Sequence, residues 1–208
     1  AATTVPPTSK AGLRELLAAL ASARGEAGVA DHELAAEAAA AQEVIATDGQ
    51  EGLNVLKIAR QAGATTGSLY HRFASVEELA AMAWMEAAES FQSEFALALS
   101  EAPPAEAVLA GALVTPDWSR KNLTAARVLL RSSAATLKQQ ELPAPLQKRL
   151  GRLQSNLRRT ILSFARRYEN KASPERIELF QFLLADMPLA AVTPYLKRGE
   201  LPPDRVNS

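Results

Sequence analysis

The chain has 208 residues, with 23 Lys+Arg balanced by 23 Asp+Glu. That is enough chain to bury a sizeable core in one large or two small domains, and no overall basic excess marks a nucleic-acid or membrane partner. With no cysteine, a disulfide framework, a thiolate metal site and a cysteine nucleophile are excluded, and two distant histidines, His32 and His71, make a poor metal site. Alanine (42) and leucine (29) swamp valine (10) and isoleucine (4), so the composition favours helix over sheet. The longest uncharged apolar-rich runs, 107–116 and 187–196, fall short of the roughly 20 residues a bilayer requires. Leu13 to Ala23 has a faint signal-peptide look, but Arg14 and Glu15 interrupt it. A cytoplasmic protein with no membrane segment is expected.

In chain order, residues 1–9 are small, polar and proline-bearing, as in a disordered tail. Leu13, Leu16, Leu17 and Leu20 have helical spacing over about 10–24. Asp31 can cap a helix to about Thr47, stopped by Asp48-Gly49. Asn54 is a good N-cap for a short helix through Gln61, Gly63 ends it, and Thr65 or Thr66 opens another through His71. Ser75 with Glu78 has capping-box form at the head of a long helix, whose apolar stripe is Trp84, Ala88, Phe91, Phe95 and Ala98. A short helix over about 104–114 is expected next, then a break at Thr115-Pro116. Asp117 or Ser119 would cap a further helix to about Gln139. Leu146, Leu150, Leu153, Leu157, Ile161, Phe164 and Tyr168 give the clearest period in the chain. Ser173-Pro174 opens a last long helix, kinked or split at Pro188 and closed at Arg198-Gly199.

The segment 54–73, NVLKIARQAGATTGSLYHRF, has the grammar of a helix-turn-helix. Ile58, Ala59, Ala62 and Leu69 would form its small core. Thr66, Ser68, His71 and Arg72 lie on the outer face of the second helix, where short hydroxyls let backbone approach phosphate and His or Arg can reach bases or phosphates. The pattern Ile58-Ala59, Ala62-Gly63, Thr65, Gly67, Leu69-Tyr70, Phe73, Ser75, Glu77, Leu79 resembles the N-terminal signature of the TetR family of transcriptional repressors. The likeness is detailed over about 31–100 and continues as length and helix order. The ending 188–199, PLAAVTPYLKRG, is also similar to C-termini of that family.

The resemblance implies that the second short helix is a recognition helix. Tyr70 matches a phosphate-contacting tyrosine, Thr65, Thr66, Gly67, Ser68 and His71 match groove-facing positions, and Asn54 matches a backbone-touching cap. Three features depart from the pattern: Val76 stands where a lysine is usual, the preceding helix carries Glu37 and Glu43 in place of basic residues, and the helix near 10–24 is extra. Residues 31–79 are net acidic, yet 54–73 hold Lys57, Arg60 and Arg72 with no acid. Residues 120–171 carry thirteen bases against two acids. That excess reads either as a solvated face that pairs with a partner subunit or as a site for an anionic ligand or acidic partner.

The expected fold is all-α: a tail and extra helix at 1–30, a helix-turn-helix DNA-binding domain at 31–74, a helical ligand-binding and dimerisation domain at 75–198, and a tail at 199–208. The implied function is a ligand-responsive transcriptional regulator, a repressor that binds double-stranded operator DNA as a homodimer and is released by a small molecule. Phe91, Phe95 and Trp118 could wall a mainly apolar effector pocket, and Arg127 and Arg131, one turn apart, could clamp an acidic group on the effector. Ile177 to Val192 is apolar on more than one face, as a dimer surface would be. Spacing supports no catalytic set, cofactor or metal site, so an enzyme is not expected. The competing reading is a helical dimer of the same fold that binds a ligand or another protein and reads no operator.

Overall fold

The structure is a computed structural model and describes residues 33–169 and 173–204. The expected N-terminal tail, the helix near 10–24, the Asp31 cap and His32 lie outside the described residues. The architecture is all-α, with no strand among the described residues.

Helix α1 occupies 33–48. Helix α2 (Val55–Ala62) begins at Asn54, whose side chain accepts the Leu56 amide, and ends at Gly63, whose φ of 66° closes the last turn in the left-handed region. Helix α3 (Thr66–Arg72) is capped by Thr65, which accepts the Ser68 amide. The capping box at Ser75 forms as the spacing predicts. Its hydroxyl accepts the Glu78 amide, and the Glu78 carboxylate reaches back to the Ala74 amide at 2.8 Å, one residue earlier than the standard box.

Helix α4 (Val76–Glu101) is the spine. Leu79, Ala80, Ala81, Met82 and Ala83 are buried in succession, which a one-faced helix cannot do. One side joins Ile45, Ile58, Leu69 and Phe73 of the N-terminal unit; the other, with Met85 and Ala88, joins Leu137, Leu142, Leu150 and Leu153 of the body. The single stripe expected over Trp84–Ala98 describes only the second half. The small alanines let neighbours approach from both sides.

Helix α5 (Pro104–Lys121) corrects the expected break at Thr115-Pro116, because Pro116 sits inside it. A proline forfeits one ladder hydrogen bond and disfavours helix at the preceding residue. Here burial outweighs that cost: Val114, Thr115, Trp118 and Ser119 are all in the core. The chain breaks instead at Asn122, whose backbone and side-chain nitrogens both donate to the Trp118 carbonyl. The single helix expected to Gln139 is thus two, α6 (Leu123–Arg131) and α7 (Ala134–Lys138), the latter capped by Ser133.

Gly111 lets α5 approach closely. A Cβ there would meet Leu99 Cδ2 at 2.7 Å and Leu184 Cδ2 at 2.8 Å. Gly111→Val is expected to overpack this contact and cost about 1–3 kcal/mol, read as a lower urea midpoint at unchanged m-value.

Helix α8 (Ala144–Tyr168) buries Leu150, Leu153, Ile161 and Phe164 from the predicted stripe, while Tyr168 remains partly open. The C-terminal run joins α9 (Pro174–Gln181), a π turn (Phe182–Asp186) and α10 (Met187–Arg198). Pro188 neither splits it nor ends it. Lacking an N–H for the preceding turn, it widens the ladder, and the Met187 amide bonds the Phe182 carbonyl five residues back. Only Asp186 is charged from Leu179 to Leu196, so Pro174–Arg198 has the length and composition of a membrane span, its 18-residue apolar stretch having a mean hydropathy of 1.3. This exceeds the short runs seen in the sequence. Its Phe180, Leu184, Val192 and Leu196 enter the body core beside Phe95, Trp118 and Phe164.

The expected C-terminal tail begins later than 199. Arg120 holds the Pro202 and Pro203 carbonyls and pairs with Asp117 and Asp204, and Pro202 is fully buried.

Candidate nucleic-acid interface

Helices α2 and α3 share a core of Ile58, Ala59 and Leu69, which turns the remaining faces of α3 outward. Tyr70 is 63 % exposed, and Gly67 and His71 are exposed beside it, with Thr66 half-buried at the start. Asn54 and Thr65 are exposed at the heads of α2 and α3, each side-chain oxygen already spent on a cap. The outward surface of α3 therefore comprises Thr66, Gly67, Tyr70 and His71, flanked by two helix N-termini. A helix N-terminus presents free amides suited to phosphate.

Two predicted contacts turn inward instead. Arg72 is directed at α1: Nη1 donates to Glu33 Oε2 at 2.7 Å, and Nη2 donates to Ser68 Oγ at 3.1 Å and lies 2.8 Å from Glu37 Oε1. Ser68 Oγ in turn faces Glu37 Oε1 at 3.5 Å. Glu37 is 1 % exposed. Burial pushes its carboxyl above the usual glutamate range, with Arg72 opposing. Ser68 and Arg72 are thus corrected from groove-facing groups to internal ones. Their positions in α3 fall on the α1 side of the helix, and the acids of α1 supply partners.

Of the acids read from sequence as flanking charge, Glu37 is buried, whereas Glu33, Glu43, Asp48, Glu51 and Glu77 are exposed. Lys57 pairs with Asp48 at 2.9 Å. Of the three bases in 54–73, Arg60 alone carries no ion pair among the described residues, and it lines a shallow groove of about 330 Å³ with Glu43, Asp48 and Lys57. The motif is therefore less cationic than its composition suggests. Val76, the position that departs from the usual lysine, is half-buried against Leu53, Glu51 and Glu77.

The helical body is joined to this unit through α6. Val128 lies in the core of the N-terminal unit, Thr124 donates to Glu43 of α1 at 3.0 Å, and Arg131 Nη1 lies 3.1 Å from where a Cβ on Gly49 would sit. The two predicted clamp arginines diverge. Arg131 reaches the turn after α1, whereas the Arg127 guanidinium covers Gly199 at the end of α10, 3.3–3.6 Å from a Cβ there. A cation is favoured at a helix C-terminus, and the α10 terminus faces this guanidinium, while Arg127 Nε is buried without a hydrogen-bond partner among the described residues. No shared clamp for an acidic group forms.

The three aromatic residues of the expected pocket do come together. Phe91 stacks on Phe95 at 5.8 Å and meets Trp118 edge-on at 5.4 Å, and Trp118 Nε1 donates to Ser90. They form packed core between α4 and α5. Grooves open elsewhere along α4. One between α4 and α8, about 370 Å³, is lined by Glu89, Gln92, Asn156 and Arg159, and one at the head of α4, about 440 Å³, is lined by Glu51, Leu53, Glu77 and Gln140.

Glu89 holds Arg149 through two bonds, 2.8 and 2.6 Å, tying α4 to α8 and lowering the Glu89 pKa. A carboxylate whose folded-state pKa is depressed stabilises the fold above the unfolded-state value and loses that contribution as pH falls through the folded one. Glu89→Gln is expected to reduce the thermal midpoint at pH 7 and to lessen its drop on acidification below about 4.5. The effect is small because the pair is partly exposed. Arg167 uses its guanidinium differently, capping the Leu99, Ser100 and Ala102 carbonyls at the end of α4.

Residues 38–83 match the family model described as bacterial regulatory proteins, tetR family. No curated protein matches the chain. Among solved structures, the fold is similar to that of a Shewanella sp. PV-4 protein assigned to the tetR family of transcription regulators. The TM-score is 0.61 at 20 % identity, over 80 % of this chain and 86 % of that one.

Proposed function

We propose that this chain, whose residues 38–83 match the tetR-family model and whose fold is similar to that of a tetR-family regulator, is a cytoplasmic transcriptional repressor that binds operator DNA as a homodimer and is released by a small apolar effector. The observation that carries the reading is the outward face of α3. Thr66, Gly67, Tyr70 and His71 are free of internal partners while Leu69 and Phe73 fix the helix beneath them. Two such helices spaced about 34–36 Å apart would meet successive major grooves.

Leu179, Phe182, Met187 and Leu189 are exposed apolar side chains along α9, the π turn and α10, and their exposure in the single chain supports the dimer. An interface of about 1,200–2,000 Å² is expected. Phe182→Asp should yield a monomer by sedimentation with full helicity, because Phe182 is 51 % exposed in the single chain. A wild-type monomer at micromolar concentration would contradict the dimer.

The effector is read as apolar, without the acidic group first expected, since Arg127 and Arg131 part. It would enter by opening the Phe91–Phe95–Trp118 cluster. Movement there reaches α1 through α6, by Val128, Thr124 and Arg131. Release requires that the effector bind the displaced state more tightly than the DNA-bound one.

One observation favours the second reading, a dimer that reads no operator: Lys57 and Arg72 are both neutralised within the domain. Selection of duplexes from a random-sequence pool separates the two. A repressor enriches a pseudo-palindromic sequence; a module that reads no operator enriches none.

A further inference from the structure

Helix α3 has seven residues, of which Leu69 alone is a buried side chain. With Phe73, buried at the C-cap one turn on, it seats the helix along a single apolar line. The second anchor lies one turn on, at Arg72, where Glu33, Glu37 and Ser68 converge on the guanidinium. We propose that Glu37 and Arg72 are a positioning pair: the buried Glu37 carboxylate holds Arg72 off the DNA face and uses it to fix the rotation of α3 on α1, so that Arg72 serves sequence discrimination without touching phosphate.

Stability alone gives this pair little reason to exist. A buried ion pair loses to well-packed apolar residues unless its remaining polar atoms are satisfied. Here Glu37 Oε2 and Arg72 Nε are both buried without a hydrogen-bond partner. What the pair supplies is direction. A guanidinium is planar and meets its acceptors only in set orientations, whereas apolar contact tolerates rotation. Rotating α3 to bring Arg72 outward would carry Tyr70 and His71 off the exposed face. The residue cannot both anchor the helix and contact phosphate.

The proposal rests on the operator reading, and its test separates the two. Wild type, Glu37→Gln, Arg72→Gln and the double variant are titrated against a duplex selected by the wild-type protein and an unselected duplex of equal length, across a salt series, with thermal midpoints recorded. Each single variant is expected to lower the selected-to-unselected affinity ratio about tenfold or more. The double variant should lower it no further than the worse single. The salt slope on the unselected duplex should stay at the wild-type value. A slope reduced by about one in Arg72→Gln, the mark of a lost phosphate contact, overturns the proposal. So does an unchanged ratio in a variant whose thermal midpoint shows it to be folded, or single losses that multiply in the double variant. General loss of structure lowers binding to both duplexes alike and leaves the ratio unchanged, and Glu37→Gln conserves shape should Arg72→Gln fail to fold. A wild-type protein that binds neither duplex overturns the operator reading and the pair's role together.

Discussion

Leu184→Asp is expected to abolish folding, with loss of the helical circular dichroism signal at 25 °C and no cooperative thermal transition. Leu184 is fully buried in the π turn, in contact range of Gly111 on α5, and shares the body core with Phe95, Trp118 and Phe180. Losing the side chain costs about 2–5 kcal/mol. Burying a carboxylate among these apolar side chains adds several more. Together these approach or exceed the roughly 5–15 kcal/mol by which a domain is stable. Phe180, in the same apolar run, likewise lies inside the single chain, so a charge at either position unfolds it rather than dissociating it. Phe182, one residue before Leu183 on the open side, is the position where a charge tests association instead.

The second large effect concerns DNA. Tyr70→Phe combined with His71→Ala should lower operator affinity about a hundredfold while leaving the thermal midpoint within a degree or two. Both side chains are exposed and make no hydrogen bond within the chain among the described residues, so the fold loses almost nothing. A hydrogen bond to a charged phosphate is worth about 1.5 kcal/mol or more, and two such losses amount to roughly a factor of 100. Fluorescence anisotropy on a labelled operator duplex measures this directly. Unchanged affinity in the double variant would remove α3 as the recognition helix.

Local features read well from sequence where their physics is local. Asn54, Thr65, Ser75 and Ser173 cap the helices assigned to them, and Gly63 and Gly199 adopt the left-handed conformation that ends α2 and α10. A cap needs only a hydroxyl or amide three residues from an amide, and the sequence displays both partners. Pro116 was misread because its local penalty is visible while the burial of Trp118 and Val114 that overrides it is not. Pro188 was half-read: the disturbance occurs, but as a widened turn.

The same limit governs the site. Tyr70 and His71 could be placed on an open face because Leu69 and Phe73 mark the buried one. Arg72 could not, since its direction is set by Glu33 and Glu37, some forty residues earlier in the chain. A pair of acids four apart on α1 is the one trace of this in the sequence, and many solvated helices show the same spacing. The directions of Arg127 and Arg131 are hidden for a similar reason. One turn of helix brings two residues near the same face, but the Arg127 guanidinium lies beside Gly199 at the end of α10 and Arg131 Nη1 beside Gly49 in the N-terminal unit.

Hydroxyl-radical footprinting of the wild-type protein on the duplex enriched from a random pool is the most direct measurement of whether this domain reads DNA. The expected result is two protected patches on one side of the duplex, centred about 10–10.5 base pairs apart or a multiple of that spacing, weakened throughout by Tyr70→Phe with His71→Ala. Uniform protection along the duplex, or none at low salt, would contradict it.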